Sequence, residues 1–314
     1  MALALITGVA GQDGTYLSRA LVGEGMEVHG IARPGSESVI EPGVIVHRID
    51  VRDADALTGL IADLRPAELY HLAGQSSVGA SWQDPLGTVQ QTGAPVAALL
   101  AAVSMSSPGT RFVNASSSEI FGAAAAPQNE ATPIAPVSPY GAAKALGHFL
   151  VNSFRARGLH ASSCILYNHE SPLRDERFVT GKIATAVARI DAGLQDVLYL
   201  GDLTVERDWG WAPDYVDALR RVARHSAPAD YVIGTGVSHS IRDFVSAAFS
   251  AVGIHEWERF VRTDPDLVRP ADPATQRADS TKARMVLGWA PTVEFDGIVS
   301  AMVGHRIDQL TSAT

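Results

Sequence analysis

A glycine-rich turn near the start of the chain constrains its fold more than any other feature. The turn directly follows an apolar segment at residues 2–7 and opens a helical pattern at 15–25. Glycine allows a tight turn whose backbone N–H groups face a bound anion, and the helix dipole favours negative charge there. Strand, glycine turn and helix in this order predict a dinucleotide-binding unit. Its candidate cofactor-binding residues are Gly8, Gly11, Gln12, Asp13 and Gly14.

Short apolar segments alternate with helical patterns along the first two-thirds of the chain. This alternation is typical of βαβ units that build a parallel sheet. The predicted strands are residues 2–7, 27–32, 44–50, 69–73, 111–116, 160–167 and 231–234. The predicted helices between them are residues 15–25, 57–64, 95–104 and 140–157. We therefore predict an α/β fold, a Rossmann-like doubly wound parallel sheet with a smaller, discontinuous α/β substrate-binding domain.

The pattern changes after Tyr167, where clusters of Pro, Asp and Arg separate amphipathic helices predicted at 179–192 and 241–252. This change indicates a second, smaller unit. The predicted dinucleotide-binding domain comprises residues 1–167 and about 206–238. The predicted nucleotide-sugar substrate domain comprises residues about 168–205 and 239–314.

Charge and cysteine content narrow the function classes. Lys and Arg number 25 against 34 Asp and Glu, a net charge of −9, so we expect no nucleic-acid partner. The single cysteine, Cys164, lies in an apolar segment and is predicted to be a buried thiol. The apolar run at 94–103 is short for a bilayer, and the N-terminus lacks the basic flank of a signal peptide. We expect a cytoplasmic protein with no membrane association, and we assign no metal site.

Three polar segments follow predicted strands and should meet at one sheet edge: 116–119, 140–144 and 168–171. Tyr140 and Lys144 are spaced i, i+4, so both side chains leave the same helix face. A cation ~4 Å from a phenol contributes ~4 kcal/mol at an effective dielectric of ~20. That energy would lower the tyrosine pKa by about three units from its reference near 10. We therefore expect Tyr140 to act as a base beside Lys144, the alternative being an ordinary surface pair.

Longer motifs resemble the extended short-chain dehydrogenase/reductase superfamily and, within it, the GDP-mannose 4,6-dehydratase family. The motifs that carry the resemblance are Gly11-Gln12-Asp13-Gly14, Tyr70-His71-Leu72-Ala73-Gly74-Gln75-Ser76, Leu166-Tyr167-Asn168-His169-Glu170-Ser171-Pro172, Phe178-Val179-Thr180-Gly181-Lys182-Ile183 and Arg207-Asp208-Trp209-Gly210. The resemblance continues through His239-Ser240-Ile241-Arg242-Asp243-Phe244 to Leu287-Gly288-Trp289. It therefore covers the chain nearly end to end.

This resemblance implies a reaction and roles for four residues. In the family, bound NADP⁺ takes a hydride from sugar C4 while a tyrosine removes the hydroxyl proton, and Tyr140 with Lys144 matches those positions. Glu119 matches the carboxylate that removes the C5 proton, with Ser117 as the nearby hydroxyl. Water leaves C6 and the hydride returns there, giving a 4-keto-6-deoxy sugar. The alternative interpretation of Glu119 is a solvated loop acid.

The resemblance also implies contacts to the cofactor and the substrate. Further cofactor-binding residues are Arg33, Asp50, Val51, Leu72 and Ala73. The substrate-binding candidates are Ser76, Ser118, Asn168, Glu170, Val179, Lys182, Arg207, Arg269 and Asp272. Lys182 and the two arginines would bind the diphosphate and Glu170 the sugar hydroxyls, whereas His169 could be either a contact or a packed histidine.

The end of the second predicted strand indicates which dinucleotide binds. Sites for NAD place an acid there, whereas sites for NADP need a cation. Arg33 occupies this region with Ser36 nearby, and no acid precedes Glu37, so we predict NADP. After the third strand, Asp50 could accept from the adenine amino group, and the nearby Asp53 is equally well interpreted as a helix cap.

Departures from the family pattern limit what can be transferred. Ser117 stands where the family usually has threonine, and Asp272 where it usually has glutamate, which weakens the assignment of a guanine base. The segment 33–43 is shorter than the family's loop to a neighbouring subunit, so we expect a homodimer, with a tetramer as the alternative. The predicted substrate is a nucleotide sugar, GDP-mannose.

Three functional alternatives stay open from the sequence. The enzyme could be an NADP-dependent reductase or epimerase of a GDP- or other nucleotide-linked sugar. It could also be a dehydratase of a GDP-manno-heptose. The non-enzyme alternative is a dinucleotide-binding regulator, because a fold of this kind does not fix function.

Overall fold

Fourteen strands and eleven α-helices make up the described part of the chain. The computed structural model describes residues 2–36, 38–267 and 273–312. The strands are β1 (Leu3–Thr7), β2 (Glu27–Ala32), β3 (Val44–Arg48), β4 (Glu68–His71), β5 (Arg111–Ser117), β6 (Ala161–Leu166), β7 (Asn168–Glu170), β8 (Leu198–Leu200), β9 (Glu206–Arg207), β10 (Trp209–Trp211), β11 (Tyr231–Ile233), β12 (His239–Ser240), β13 (Val261–Thr263) and β14 (Thr275–Gln276).

The helices surround the sheet and fill the C-terminal half. They are α1 (Gln12–Gly23), α2 (Ala54–Leu64), α3 (Val78–Gln83), α4 (Pro85–Thr88), α5 (Ala94–Ser106), α6 (Pro139–Ala156), α7 (Val179–Asp191), α8 (Ala212–Arg224), α9 (Ile241–Ser250), α10 (Thr281–Leu287) and α11 (Phe295–Ser312). A 3-10 helix at Ser118–Phe121 follows β5 directly.

A seven-stranded sheet with the order β3-β2-β1-β4-β5-β6-β11 forms the centre of the fold. Every neighbouring pair in it is parallel. Each of its strands was predicted from the sequence to within two residues at either end. This order, with helices on both faces, confirms the predicted Rossmann-like α/β fold.

Alternation along β1 shows how one strand serves two helical layers. Ala4 and Ile6 pack in the core beneath α1 and α8, whereas Leu5 packs in the core beneath α2, α5 and α6. Successive side chains of a strand point to opposite faces, so a strand buried on both sides must be apolar throughout. This is why the sequence signal for β1 is a continuous apolar run.

A separate hydrophobic core lies in the C-terminal half, where α7, α9 and α11 pack together. Trp209, Phe244 and Phe295 contribute aromatic rings to it. Leu287 and Trp289, however, pack in the core beneath α1 and α8. The packing cores are thus interleaved along the chain, and the exact domain limits stay a prediction.

The apolar segment around α5 is longer than the sequence suggested. α4, a π-helical turn at Val89–Gly93 and α5 form a continuous helical segment of 22 residues, long and apolar enough to cross a membrane. The expectation that this run is too short was therefore wrong by length. Its most apolar window is 56% buried inside the protein, and α5 packs on α2 and α6, as a core helix does.

Small sheets form from short strands outside the main sheet. β7 pairs with β10, and β9 pairs with both β12 and β14. Because β7 leaves β6 after a single residue, it starts at the carboxyl edge of the parallel sheet. These pairings bring the C-terminal half of the chain against that edge.

Phe244 tests the C-terminal core. Its ring is fully buried, 5.3 Å from the Trp209 ring and 5.8 Å from the Phe295 ring. We expect Phe244→Ala to lower the free energy of unfolding by about 3–5 kcal/mol, since it leaves a cavity. Met285→Ala, at a highly exposed position of α10, should change it by less than about 0.5 kcal/mol. Denaturant titration measures both, and equal effects would contradict this packing.

Candidate active site

The glycine turn connects β1 to α1 by close backbone approach. Gly8 has a φ of +74°, and a Cβ on it would lie 2.8 Å from the Ala73 nitrogen. A Cβ on Gly14 would lie 2.3 Å from the Gly8 carbonyl oxygen. Both positions therefore require glycine. No side chain caps α1 at Gly11, and the turn borders a groove whose other wall includes residues 38–42.

The two polar residues of the turn use their side chains to contact the segment at 169–171. Gln12 donates from Nε2 to the His169 carbonyl oxygen at 3.1 Å and accepts from the Ser171 hydroxyl at 2.8 Å. The Asp13 carboxylate lies 2.9 Å from Nε2 of His169. Their side chains thus fasten the turn to β7 and to the residue that follows it.

His169 is therefore a packed histidine rather than a free one, and its partners define its charge. Nδ1 faces the Tyr167 carbonyl oxygen at 2.7 Å, and Nε2 faces the Asp13 carboxylate, so both nitrogens must donate. Burial alone would lower the pKa of His169, but the charge and hydrogen bond of Asp13 raise it. Burial alone would raise the pKa of Asp13, but His169 lowers it. The two form a half-buried imidazolium–carboxylate pair.

Leu72 and Ala73 lie beside the glycine turn at the end of β4. Their N–H groups donate to the Thr7 hydroxyl at 3.2 and 3.1 Å, and that hydroxyl faces Nδ1 of His71 at 2.8 Å. These contacts hold residues 72–73 against Gly8. The structure thus brings both predicted residues to the cofactor side of the sheet edge.

The ends of β2 and β3 carry a group of arginines around one acid. Arg33 is exposed directly after β2, and its charge contributes to holding the pKa of Asp50 low. The main cause is a set of hydrogen bonds from Arg52, which together lower that pKa to about 2. Arg48 donates to the Ser36 carbonyl oxygen at 2.8 Å. Asp50 is thus an ionised carboxylate already bound to Arg52.

The sequence also assigned possible roles to three residues near these strand ends: Glu37, Val51 and Asp53. Asp53 caps α2 by accepting from the Ala56 N–H at 3.0 Å, which confirms the helix-cap alternative. Val51 is half-buried between these residues. Glu37 lies outside the described residues.

Ser117, Tyr140 and Lys144 meet where β5 ends and α6 begins. Ser138 caps α6 by accepting from the Gly141 N–H at 3.0 Å, which fixes the first turn that carries Tyr140. Tyr140 is hydrogen-bonded with Ser117. Lys144 extends to the Ala115 carbonyl oxygen, with Nζ 2.6 Å from it and 5.8 Å from the centre of the Tyr140 ring.

The expectation that Lys144 lowers the pKa of Tyr140 is wrong in this structure. Burial raises the pKa of Tyr140 to about 12, against the opposing effect of the Ser117 hydrogen bond. Burial also lowers the pKa of Lys144 to about 8. An effective dielectric of ~20 describes a pair near the surface, whereas ionising a buried phenol carries a further desolvation cost. In addition, the Lys144 ammonium group donates a hydrogen bond to the Ala115 carbonyl oxygen and not to the phenol.

Glu119 lies in the 3-10 helix after β5, two residues after Ser117. Its N–H donates to the Ser117 hydroxyl at 3.3 Å. Its Oε1 accepts from Nε2 of Gln276 at 3.3 Å. The Glu119 charge is among the effects that raise the pKa of Tyr140, after burial. The structure thus places a carboxylate, a phenol and a hydroxyl together, and Glu119 is held rather than a solvated loop acid.

The predicted substrate-binding residues differ in exposure and in whether their side chains already bind other parts of the protein. Ser76 is exposed after β4, Asn168 and Val179 are half-buried, and Ser118 is buried. Glu170, Lys182 and Arg207 already form hydrogen bonds within the protein. Arg269 and Asp272 lie outside the described residues.

Glu170, Lys182 and Arg207 are bound within the protein. Glu170 is fully buried, accepts from Thr180 at 2.7 Å and pairs with Arg174 at 3.0 Å. Lys182 donates to the Tyr199 carbonyl oxygen at 2.6 Å. Arg207 is 7% exposed and donates to the carbonyl oxygens of Glu206 and Pro273. Their contacts with a substrate stay predictions.

Arg174, Arg48 and Gln276 were not singled out from the sequence. The Arg174 charge acts on the pKa values of Asp13, Tyr140 and Glu170. Its i, i+4 spacing from Glu170 was an available signal. Gln276 had none, because it lies in a two-residue strand far along the chain.

Comparisons with known proteins agree with this arrangement. The family model described as GDP-mannose 4,6 dehydratase matches residues 5–302. The chain is 40% identical to GDP-mannose 4,6 dehydratase 2 of Arabidopsis thaliana, over 98% of this chain and 87% of that protein. It is 40% identical to the GDP-mannose 4,6-dehydratase of Sinorhizobium fredii (strain HH103), over 98% and 97%. The corresponding human protein is 38% identical over 98% and 91%.

Solved structures share the fold across nearly the whole chain. A UDP-glucose 4-epimerase of Thermus thermophilus in complex with NAD has a TM-score of 0.83 and 28% identity, covering 97% of this chain and 98% of that one. RMD of Pseudomonas aeruginosa, complexed with NADPH, has a TM-score of 0.83 at 24% identity, covering 98% of each chain. Because the family model spans almost the full length and relatives reach 40% identity, this chain belongs to the GDP-mannose 4,6-dehydratase family.

Proposed function

We propose that this protein converts GDP-mannose to GDP-4-keto-6-deoxymannose by dehydration at C5 and C6. The observation that carries the proposal is the position of Glu119 beside Ser117 and Tyr140. A tyrosine and a lysine suffice for oxidation at C4, whereas dehydration needs a further base for C5. Family membership supports the same reaction and the same nucleotide sugar.

The residues of the glycine turn fit a dinucleotide cofactor. A Cβ at Gly8 or Gly14 would fill the close approach between β1, α1 and residues 72–73. The uncapped start of α1 offers N–H groups and a positive dipole end for a pyrophosphate. When bound, an oxidised nicotinamide would supply a hydride acceptor for C4 and a positive charge that favours the Tyr140 phenolate.

Tyr140 would take the C4 hydroxyl proton, and its pKa of about 12 explains why it needs help. The hydrogen bond with Ser117 stabilises the phenolate form. Lys144, bound to the Ala115 carbonyl oxygen, holds its charge near the ring. Ser117 and Tyr140 would thus bind and orient the C4 oxygen, and the proton would move to the phenolic oxygen of Tyr140.

Glu119 would act on C5 once C4 is a ketone, because the ketone makes the C5 proton acidic. The C5–H bond breaks, its electron pair forms the C5–C6 double bond, and the C6–O bond breaks. The proton goes to Glu119, which can pass it to the departing hydroxide and release water. One carboxyl group thus acts as base and then as acid. The hydride taken from C4 would return to C6 and a proton from solvent would add at C5, which gives the 4-keto-6-deoxy sugar with no net change in the dinucleotide.

Cations near the C-terminal half support a diphosphate contact. Lys182 lies on α7, and Arg207 lies on β9, which pairs with β14, the strand that contains Gln276. A guanidinium or ammonium group binds phosphate oxygens by charge-assisted hydrogen bonds. We propose that these two residues exchange part of their backbone contacts for the substrate diphosphate.

Glu119→Gln tests the dehydratase assignment directly. The amide keeps the shape and removes the base, so product formation should fall about 10²- to 10⁴-fold. Cofactor affinity, measured by calorimetry, should stay unchanged. Tyr140→Phe is the matched comparison, because it should prevent C4 oxidation and therefore the change in nicotinamide absorbance that Glu119→Gln still allows. Full turnover by Glu119→Gln would refute the assignment.

We propose NADP as the dinucleotide because arginines surround the end of β2. Arg33 is exposed there, and Arg48 lies beside it through the register pair Ala32↔Arg48. The Arg48 contact with the Ser36 carbonyl oxygen holds its guanidinium against the same turn. A 2′-phosphate carries the negative charge that such a group binds.

Arg33→Ala should remove most of the preference for NADP⁺. A charge-assisted contact is worth about 1.5–3 kcal/mol, so affinity for NADP⁺ should exceed that for NAD⁺ by about one to two orders of magnitude. Calorimetric titration of cofactor-stripped protein measures both. Arg157→Ala is the control. This exposed arginine lies at the C-terminal end of α6, away from Tyr140, and its removal should change neither affinity. Equal or tighter binding of NAD⁺ by the parent would contradict the proposal.

We also propose a cytoplasmic homodimer. Large apolar side chains are exposed on α3, α4, the following π-helical turn and α6, which pack against one another: Trp82, Leu86, Val89, Leu146 and Phe149. A second copy related by a two-fold axis would cover such a face. The cytoplasmic location is supported by the single, fully buried Cys164.

Phe149→Asp should convert this dimer to a monomer in light scattering. The side chain is 53% exposed within one chain, so the charge costs little until the face is covered by a second copy. Met285→Asp, on another exposed apolar position, should leave the dimer intact. A monomeric parent would contradict the proposal, and a stable tetramer would contradict the argument from the short segment at 33–43.

A further inference from the structure

Gln276 is a buried polar residue at the boundary between the main sheet and the C-terminal half of the chain. It is the second residue of β14 and pairs in register with Arg207 of β9. Its carbonyl oxygen accepts from the Asp208 N–H at 3.0 Å. Its exposed fraction is 1%. The backbone of Gln276 is thus fixed, and its side chain has little room to move.

Neighbouring segments fix β14 further. Gln128 donates its N–H to the Arg277 carbonyl oxygen at 2.9 Å and accepts from the Asp279 N–H at 2.8 Å. The Asp208 carboxylate accepts from the Ala278 N–H at 3.0 Å. A side chain mounted on this segment is therefore held by residues from several parts of the fold.

The amide of Gln276 lies between the side chains of Ser118 and Glu119. Nε2 is 3.3 Å from Oε1 of Glu119, and Oε1 of Gln276 is 3.5 Å from the Ser118 hydroxyl. A flipped amide would set a carbonyl oxygen against the carboxylate, two acceptors facing each other. The Ser118 hydroxyl can donate to the Gln276 side-chain carbonyl oxygen in this orientation. The N–H of Gln276 therefore faces the candidate base.

We propose that Gln276 is a positioning residue that orients the Glu119 carboxylate for removal of the C5 proton. The proposal rests on the dehydratase function proposed above. A donor on Oε1 stabilises the ionised carboxylate and restricts its rotation, which keeps it available as a base. Because β14 belongs to the C-terminal half, the placement of that half sets the orientation of the base on the main sheet.

Packing alone does not account for an amide at this position. An apolar side chain of equal length would fill the space without the cost of burying a polar group. The charged or titratable groups around this contact are Tyr140 on α6, on whose pKa Glu119 acts, and Arg207 beside Gln276 in register, itself bonded to Glu206 and Pro273. A substitution at Gln276 should therefore change the ionisation of Glu119, which is measured by the pH dependence of kcat.

Gln276→Met tests the proposal, because it keeps an unbranched chain and removes the donor. We expect kcat and the rate of deuterium exchange at C5 to fall together by about tenfold to a hundredfold, with KM changed less than twofold. The acidic limb of the kcat profile should move to higher pH. Gln276→Glu should move that limb further, since a second carboxylate disfavours ionisation of Glu119.

Thr275→Val is the matched control on the same strand, because the Thr275 hydroxyl faces Glu206 and not Glu119. It should leave the pH profile and C5 exchange unchanged. Unfolding and nucleotide binding, measured for each variant, identify any loss of folding. If Gln276→Met misfolds, the shift in Gln276→Glu decides the question.

The outcomes separate this proposal from the proposed function. A parent that dehydrates GDP-mannose, with a Gln276→Met variant whose profile and exchange rate match the parent, would overturn the role of Gln276 and leave the function intact. A loss of kcat without a shift of the acidic limb would also overturn it. A parent that forms no 4-keto-6-deoxy sugar would overturn both.

Discussion

The parallel arrangement of all seven strands in the main sheet is the constraint on which the site depends. Parallel strands end at the same edge, so the residues after β1, β4, β5 and β6 are neighbours although they are far apart in sequence. The glycine turn, residues 72–73, Ser117 and β7 all lie there for this reason. The helices that follow add Tyr140 and the uncapped start of α1.

Contacts across this edge unite the two halves of the chain. The half-buried Asp13–His169 pair and the hydrogen bonds of Gln12 fasten the glycine turn to β7 and to Ser171. On the opposite side of the site, Gln276 joins β14 to Glu119. The low dielectric of a buried site makes each contact directional and costly to break. Hydrogen bonds thus link the glycine turn to β7 and Glu119 to β14.

Sequence patterns predicted the sheet well and the side-chain electrostatics less well. A continuous apolar run marked β1 because both faces of this strand are buried. The i, i+4 spacing placed Tyr140 and Lys144 together, but the pKa of the phenol depends on burial, which spacing does not reveal. The contacts of Gln12 and Gln276 depend on the tertiary placement of β7 and β14, so no local pattern predicts them.

Internal transfer of hydrogen within one sugar is the central claim about this site. The most direct measurement uses GDP-mannose that carries deuterium at C4 and locates the label in the product by nuclear magnetic resonance. We expect the deuterium at C6 of a 4-keto-6-deoxy product, with no net consumption of the dinucleotide. A product that keeps deuterium at C4, or that loses it to solvent, would contradict the proposed reaction.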